Sequence, residues 1–182
     1  PWSLAQGQSG FTWSWLGAAL QATELSFGTV NAPGQRYHPA VIAQAAATLC
    51  EMYPGRFWLA IGSGEDLNEH VTGDAWPPKA QRQARLKEAA EIMRRLWAGE
   101  MVTHDGLVRV REAKLYTRPA RPPQLIGAAL SAATAEWLGG WADGLITAAR
   151  PLAELAEVVA AFQRGGGAGK PMYLQVALAH AA

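Results

Sequence analysis

The chain has 182 residues, 49% hydrophobic and 17% charged, which suits a single folded domain over residues 1–182 and excludes a disordered chain. Its 16 Lys and Arg against 15 Asp and Glu leave a net charge of +1, so there is no electrostatic footprint for nucleic acid or an acidic membrane surface. One cysteine, Cys50, excludes an internal disulfide and points to a reducing compartment, the cytoplasm by default, and no apolar run reaches the roughly 18 residues of a membrane span.

In chain order, Thr12–Thr23 carries Trp13, Leu16, Ala19, Leu20 and Ala22 on a broad helical stripe. Leu25–Val30 is short, partly β-branched and closed by the turn residues Asn31-Ala32-Pro33-Gly34, so it reads as a strand. Pro39–Met52 reads as a helix with Pro39 in the first turn, where its missing N–H is harmless. Phe57–Ile61 is a continuous apolar run, the pattern of a strand buried on both faces of a parallel sheet. Lys79–Ala98 is the clearest helix. Leu86, Ala89, Ala90, Met93, Leu96 and Trp97 form its apolar side. Arg82, Arg85, Lys87, Glu88, Glu91, Arg94 and Arg95 form a solvated face on which Lys87–Glu91 and Glu91–Arg95 pairs are expected.

Met101–Tyr116 alternates weakly around Asp105-Gly106 as a small β excursion, and Pro119, Pro122 and Pro123 bar a helix after it. Gln124–Gly127, Gly144–Thr147 and Met172–Leu178 supply three more strands, with helices Thr134–Trp141 and Leu152–Gln163 between them. This alternation implies an α/β fold with a parallel sheet. A (β/α)8 barrel takes eight strands and about 250 residues, so five strands fit either an open doubly wound sheet or part of a barrel.

Both architectures hold ligands beyond the carboxyl ends of their strands. That directs attention to Thr29-Val30-Asn31, Ser63-Gly64-Glu65, Ala128-Ala129 and Thr147–Arg150. The second lies within GSGEDLNEH (62–70). Read as a dinucleotide fingerprint, it has Leu67 in place of the third glycine and acids at 65 and 66 where an anion would sit. The glycine-rich run Arg164–Lys170 is no better as a phosphate loop, since it lacks the first glycine, has Pro171 after the lysine and follows a helix. No metal is expected, because His38 and His70 have no carboxylate or cysteine at ligand spacing. Taken alone, Glu65 suits a helix cap. Trp13, Trp15, Trp58, Trp97, Trp137 and Trp141 mostly suit the core.

The runs RYHPAVIAQAAATL (36–49), PGRFWLAIGSGEDLNEHVTG (54–73), EIMRRLWAGE (91–100) and ADGLIT (142–147), with the opening Pro1-Trp2, make the chain resemble the luciferase-like monooxygenase superfamily over about residues 1–178. The branch it resembles is that of the deazaflavin-dependent glucose-6-phosphate dehydrogenases. The resemblance implies a partial (β/α)8 TIM barrel, about strands three to seven of eight, from a chain truncated at both ends. It implies an oxidoreductase that transfers hydride or activates oxygen at a flavin or deazaflavin ring bound at the C-terminal mouth.

By the same resemblance Glu65 lies near the reacting ring, in a mostly apolar pocket that would raise its pKa and fit it to move a proton, and Trp2 lines the substrate side. Thr29 and Val30 form a strand-end bulge under the ring, and Ser63, Gly64, Asn68, Gly127, Ala128 and Ala129 are further cofactor contacts. The family's active-site histidine would precede Trp2, and its phosphate-binding lysine is out of register, with Arg150 nearby. The turn Gly127-Ala128-Ala129-Leu130 is less glycine-rich than a deazaflavin site suggests, which favours FMN over the deazaflavin coenzyme F-420. A small-molecule substrate and a homodimer complete these expectations. The alternative is a non-catalytic flavin-binding or inactive truncated relative.

Overall fold

The computed structural model describes residues 10–177, which fall into two compact units divided between Pro123 and Gln124. In the first, α1 (Thr12–Ala22) precedes β1 (Phe27–Asn31), α2 (Pro39–Met52) and β2 (Phe57–Ile61). A short α3 (Asp66–Glu69), a single 3-10 turn (His70–Thr72) and the long α4 (Lys79–Ala98) follow, then an antiparallel pair, β3 (Val102–Asp105) and β4 (Arg109–Ala113).

Strands β1 and β2 run parallel in the register Phe27↔Phe57 to Asn31↔Ile61. Partners in register share a face, and Phe57, Leu59 and Ile61 are buried on theirs. Trp58 lies on the other face and is 39% exposed, so β2 is not covered equally on both faces as its apolar run suggests. Its indole fills the space beside Gly28, where an added Cβ would stand 2.0 Å from the ring. Only glycine fits opposite this tryptophan.

Helices α2 and α4 bury the alanine-rich face of one against Leu86, Met93 and Leu96 of the other. Trp97 is buried there and donates its Nε1–H to the Ala43 carbonyl at 2.9 Å. Trp15 departs from the core expectation at 58% exposed, with its ring edge-on to Phe27. The α4 ion pairs also differ from those expected. Arg95 reaches Glu100 beyond the helix end at 2.7 Å, and Glu88 takes His104 of β3 at 3.1 Å. An intrahelical pair is worth only a few tenths of a kcal/mol, so a partner just past the helix end or on a neighbouring strand can displace it.

His38 caps α2. Its Nδ1 accepts from the Ala40 N–H at 3.2 Å and its Nε2 lies 2.9 Å from the Arg109 carbonyl, so the neutral Nε2–H tautomer satisfies both bonds. Arg56 closes the C-terminal end of α1. Its guanidinium donates to the carbonyl of Leu20 in the last turn, which lacks an intrahelical partner, and to those of Thr23 and Leu25 just beyond the helix.

In the second unit β5 (Leu125–Ala128), α5 (Ala132–Gly139), β6 (Gly144–Ala148), α6 (Leu152–Phe162) and β7 (Met172–Gln175) alternate. The three strands are parallel neighbours in the order β5-β6-β7. Leu138, Leu145, Val158, Ala161 and Phe162 make the core. Ser131 caps α5, its Oγ accepting from the Thr134 N–H at 3.4 Å. The turn after α6 packs against α5 so tightly that a Cβ on Gly165 would meet the Glu136 carbonyl at 1.8 Å. Helix α5 sits about two residues earlier than its periodicity suggests, because the Ser131 cap sets its start.

Candidate functional site

In the first unit the turn after β2 continues the pairing of the strands, with the Gly62 N–H donating to the Asn31 carbonyl at 2.9 Å. The segments Thr29–Asn31 and Ser63–Asn68 therefore leave the same edge of one strand pair. Thr29 Oγ1 accepts from Asn31 Nδ2 at 3.3 Å, and Val30 is 48% exposed on the face it shares with Trp58. Gly64 has φ +82°, and an added Cβ would lie 3.2–3.3 Å from Ala32, Glu69 and Trp76. Its positive φ would strain any residue with a side chain, and its close neighbours leave little room for one.

Helix α3 starts directly after Glu65, whose carbonyl accepts from the N–H groups of Asn68 at 2.9 Å and Glu69 at 3.1 Å. The Glu65 carboxylate does not cap the helix backbone. It accepts instead from Asn68 Nδ2 at 3.4 Å. Glu65 is exposed among the described residues. It stands at the N-terminal end of a four-residue helix.

The sequence reading passed over the buried member of this stretch. Glu69, 2% exposed, is the carboxylate that the turn is built around. Arg36, in the loop after β1, donates to it from Nη2 at 3.1 Å, from Nε at 3.3 Å and from its backbone N–H at 3.4 Å. Arg85 of α4 lies close enough for Glu69 to act on its charge. Burial lowers the Arg85 pKa from its ordinary value and Arg82 adds to that, while Glu69 and Asp74 oppose it. Arg82 stacks 4.3 Å from the Trp76 ring and donates to the Pro77 carbonyl at 2.9 Å. The signal for Glu69 was its place four residues after Glu65, and for Arg36 its place at the head of RYHP.

In the second unit the expected contact residues divide. Gly127 is buried and faces α5, where an added Cβ would stand 2.7 Å from the Leu138 side chain, so packing accounts for this glycine. Ala128 is half-buried, and Ala129 is buried with its N–H donating to the Ile146 carbonyl at 3.1 Å. Arg150, after β6, donates to the carbonyls of Ala148 and Leu130, which ties the turn after β6 to the turn after β5. Trp2 lies outside the described residues.

Comparison with known proteins gives this arrangement a family. Residues 2–179 match the family model described as luciferase-like monooxygenase. An F420-dependent glucose-6-phosphate dehydrogenase of Nakamurella multipartita is 48% identical over 151 residues, 81% of this chain and 44% of that protein. An F420-dependent hydroxymycolic acid dehydrogenase of Mycobacterium tuberculosis is 40% identical over 171 residues, 92% of this chain and 47% of that protein. The chain thus spans about half the length of the curated relatives it matches.

Among solved structures, an F420-dependent secondary alcohol dehydrogenase in complex with an F420-acetone adduct superposes with TM-score 0.87 at 36% identity, covering 97% of this chain and 56% of that one. The F420-dependent tetrahydromethanopterin reductase of Methanopyrus kandleri shares the fold at TM-score 0.79 and 19% identity, over 92% of this chain and 54% of its own. Of the two architectures left open by five strands, these similarities select the partial (β/α)8 barrel over the doubly wound sheet. With residues 2–179 matched by the family model and a relative 48% identical over 81% of the chain, the chain belongs to the luciferase-like monooxygenase family.

Proposed function

We propose that the chain is part of an oxidoreductase that binds a flavin or deazaflavin ring at the strand ends and oxidises a hydroxyl-bearing small molecule. The observation that carries this is the Glu65–Asn68 pair, held at the carboxyl end of β2 beside that of β1. The three relatives at 36% identity or more cited above are named as dehydrogenases of hydroxylated substrates. The residues suit a planar ring with one polar edge. Val30 offers an exposed apolar side, Ser63 and Gly64 offer backbone without bulk, and Asn68 offers an amide.

A bound ring of this type supplies the redox chemistry by accepting or delivering hydride, or by meeting oxygen in monooxygenases. The chain's own part is orientation and proton handling. With such a ring bound, Val30 and the Ser63-Gly64 backbone would support it, Asn68 would hold its polar edge, and Glu65 would accept the hydroxyl proton of the substrate. Arg150 spends two of its donors on carbonyls, which leaves fewer for a substrate phosphate.

The names of the relatives weight the choice of cofactor towards F-420. The sparse glycines of 127–130 weigh little towards FMN, because Gly127 serves the packing of Leu138. Titrating the purified chain with FMN and with F-420, and following ring absorbance as a secondary alcohol is added, tests the proposal. Uptake of one ring with bleaching on addition of an alcohol supports it. Uptake without reduction by any alcohol favours the second reading, a non-catalytic ring-binding relative, for which the exposure of Glu65 speaks.

A further inference from the structure

Glu69 and Arg36 have no part in the hydride chemistry proposed above, and the burial of Glu69 against a half-buried Arg36 is hard to explain by stability alone. An ion pair taken out of water gains little over apolar residues of the same size, because desolvation offsets the attraction. Here the pair joins two segments 33 positions apart in sequence. One follows β1, whose end carries Thr29 and Val30. The other is the turn that carries Ser63, Gly64, Glu65 and Asn68.

The bonds are arranged to hold backbone as well as side chains. Oε2 of Glu69 accepts from the Arg36 backbone N–H, so the loop itself is gripped, while Oε1 accepts from the guanidinium. On the other side, the Glu69 backbone N–H donates to the Glu65 carbonyl, and the Glu69 Cγ lies against Gly64. At 2% exposure, with both oxygens engaged, Glu69 cannot touch a ligand.

We propose that Arg36 and Glu69 form a clamp that sets the spacing of the two strand-end segments, making Glu69 a positioning residue for the ring site. The clamp rests on the reading of Val30, Glu65 and Asn68 as ring contacts. A shift of about 1 Å in such a segment is enough to cost orders of magnitude in a reaction that depends on alignment. Glu69→Gln keeps the shape and removes the charge. Arg36→Lys keeps the charge and removes the planar fork that serves Oε1.

The test measures dissociation constants for FMN and F-420 and amide hydrogen exchange without cofactor, on the parent chain and on E69Q, R36K and N68A. The expected result for E69Q is faster exchange in both 29–36 and 62–69, with cofactor binding weakened about tenfold. R36K moves both readouts the same way by less, and it carries the test if E69Q does not fold. N68A weakens binding and leaves exchange in 29–36 at the parental rate. The clamp is overturned if E69Q and R36K speed exchange only in 62–69, or speed both segments and leave the affinity at the parental value. If E69Q moves both readouts and N68A moves neither, the clamp stands and Asn68 is not a ring contact. A parent chain that takes up neither ring refutes the proposed function, and the exchange of the two segments then decides whether the clamp exists.

Discussion

The turn after β2 and the turn after β5 do comparable work in different ways. The first is polar and is fixed by charge: a buried carboxylate, a bidentate arginine and a second arginine close by. The second is built of small residues and is fixed by volume. Gly127 makes room for Leu138, and Ala129 is buried against the strand ladder. The contrast is one of emphasis in each unit. Residues 10–123 use the guanidinium groups of Arg36, Arg56, Arg82 and Arg118 to tie loops to carbonyls or carboxylates, whereas in residues 124–177 the ties made by Arg150 and Lys170 accompany glycines that bring backbones together at Gly139, Gly144 and Gly165. Charge changes should therefore disturb the first region most, and added volume the second.

The largest expected effect is one of volume. Gly165→Ala places a Cβ 1.8 Å from the Glu136 carbonyl oxygen, and because that atom is backbone, α5 and the turn after α6 must move apart. A cost of about 3 kcal/mol is expected, at the upper end for overpacking. Denaturant unfolding gives the magnitude, and hydrogen exchange in 132–139 and 163–167 should speed up most. Exchange faster in the first unit than in the second would break the comparison.

Next comes a change of charge in the first unit. Arg56→Ala removes the donor that three carbonyls around the end of α1 share. Its side chain is 23% exposed, so water replaces part of what is lost, and about 2 kcal/mol is expected. Exchange in 12–23 reports it. Gly127→Ala is milder than Gly165→Ala, because the atoms it meets belong to the flexible end of Leu138. A cost of about 1 kcal/mol is expected. A larger effect from Gly127→Ala than from Gly165→Ala would show that the Leu138 side chain is held as rigidly as backbone.

These regions were not equally legible in the sequence. Pro39–Met52, Phe57–Ile61 and Lys79–Ala98 have the bounds their local signals give, since a proline in the first turn, a β-rich apolar run and a 3.6-residue stripe each act over a few residues. Glu65 and Asn68 stood out only through the resemblance of one short motif to the family, since Glu65 taken alone suits a helix cap. Glu69 was in that motif too, yet its role depends on Arg36 from a distant loop, and no local periodicity reports such a partner. The exposure of Trp15 and Trp58 and the partners of Arg95 and Glu88 were hidden likewise. Each is decided by which surfaces meet, after local structure has formed.

Cys50 sharpens the comparison from inside the charge-tied region, because there an ionisable group behaves as packed volume. It lies on the buried face of α2 at 9% exposure, and burial pushes its thiol up from 9.0 to about 11. Between these values the unfolded chain releases the proton while the folded chain keeps it. The stabilising contribution is thus complete below pH 9 and declines as pH rises towards 11, by about 1 kcal/mol at pH 10. Lysines and tyrosines titrate in the same range, so the informative quantity is the difference in slope between the parent and Cys50→Ala. The alanine variant should be less stable at neutral pH for want of the sulfur, and should lose less stability between pH 9 and pH 10. Equal slopes would mean that the thiol reaches solvent in the folded state, and that the α2–α4 interface is looser than the buried alanines and Trp97 imply.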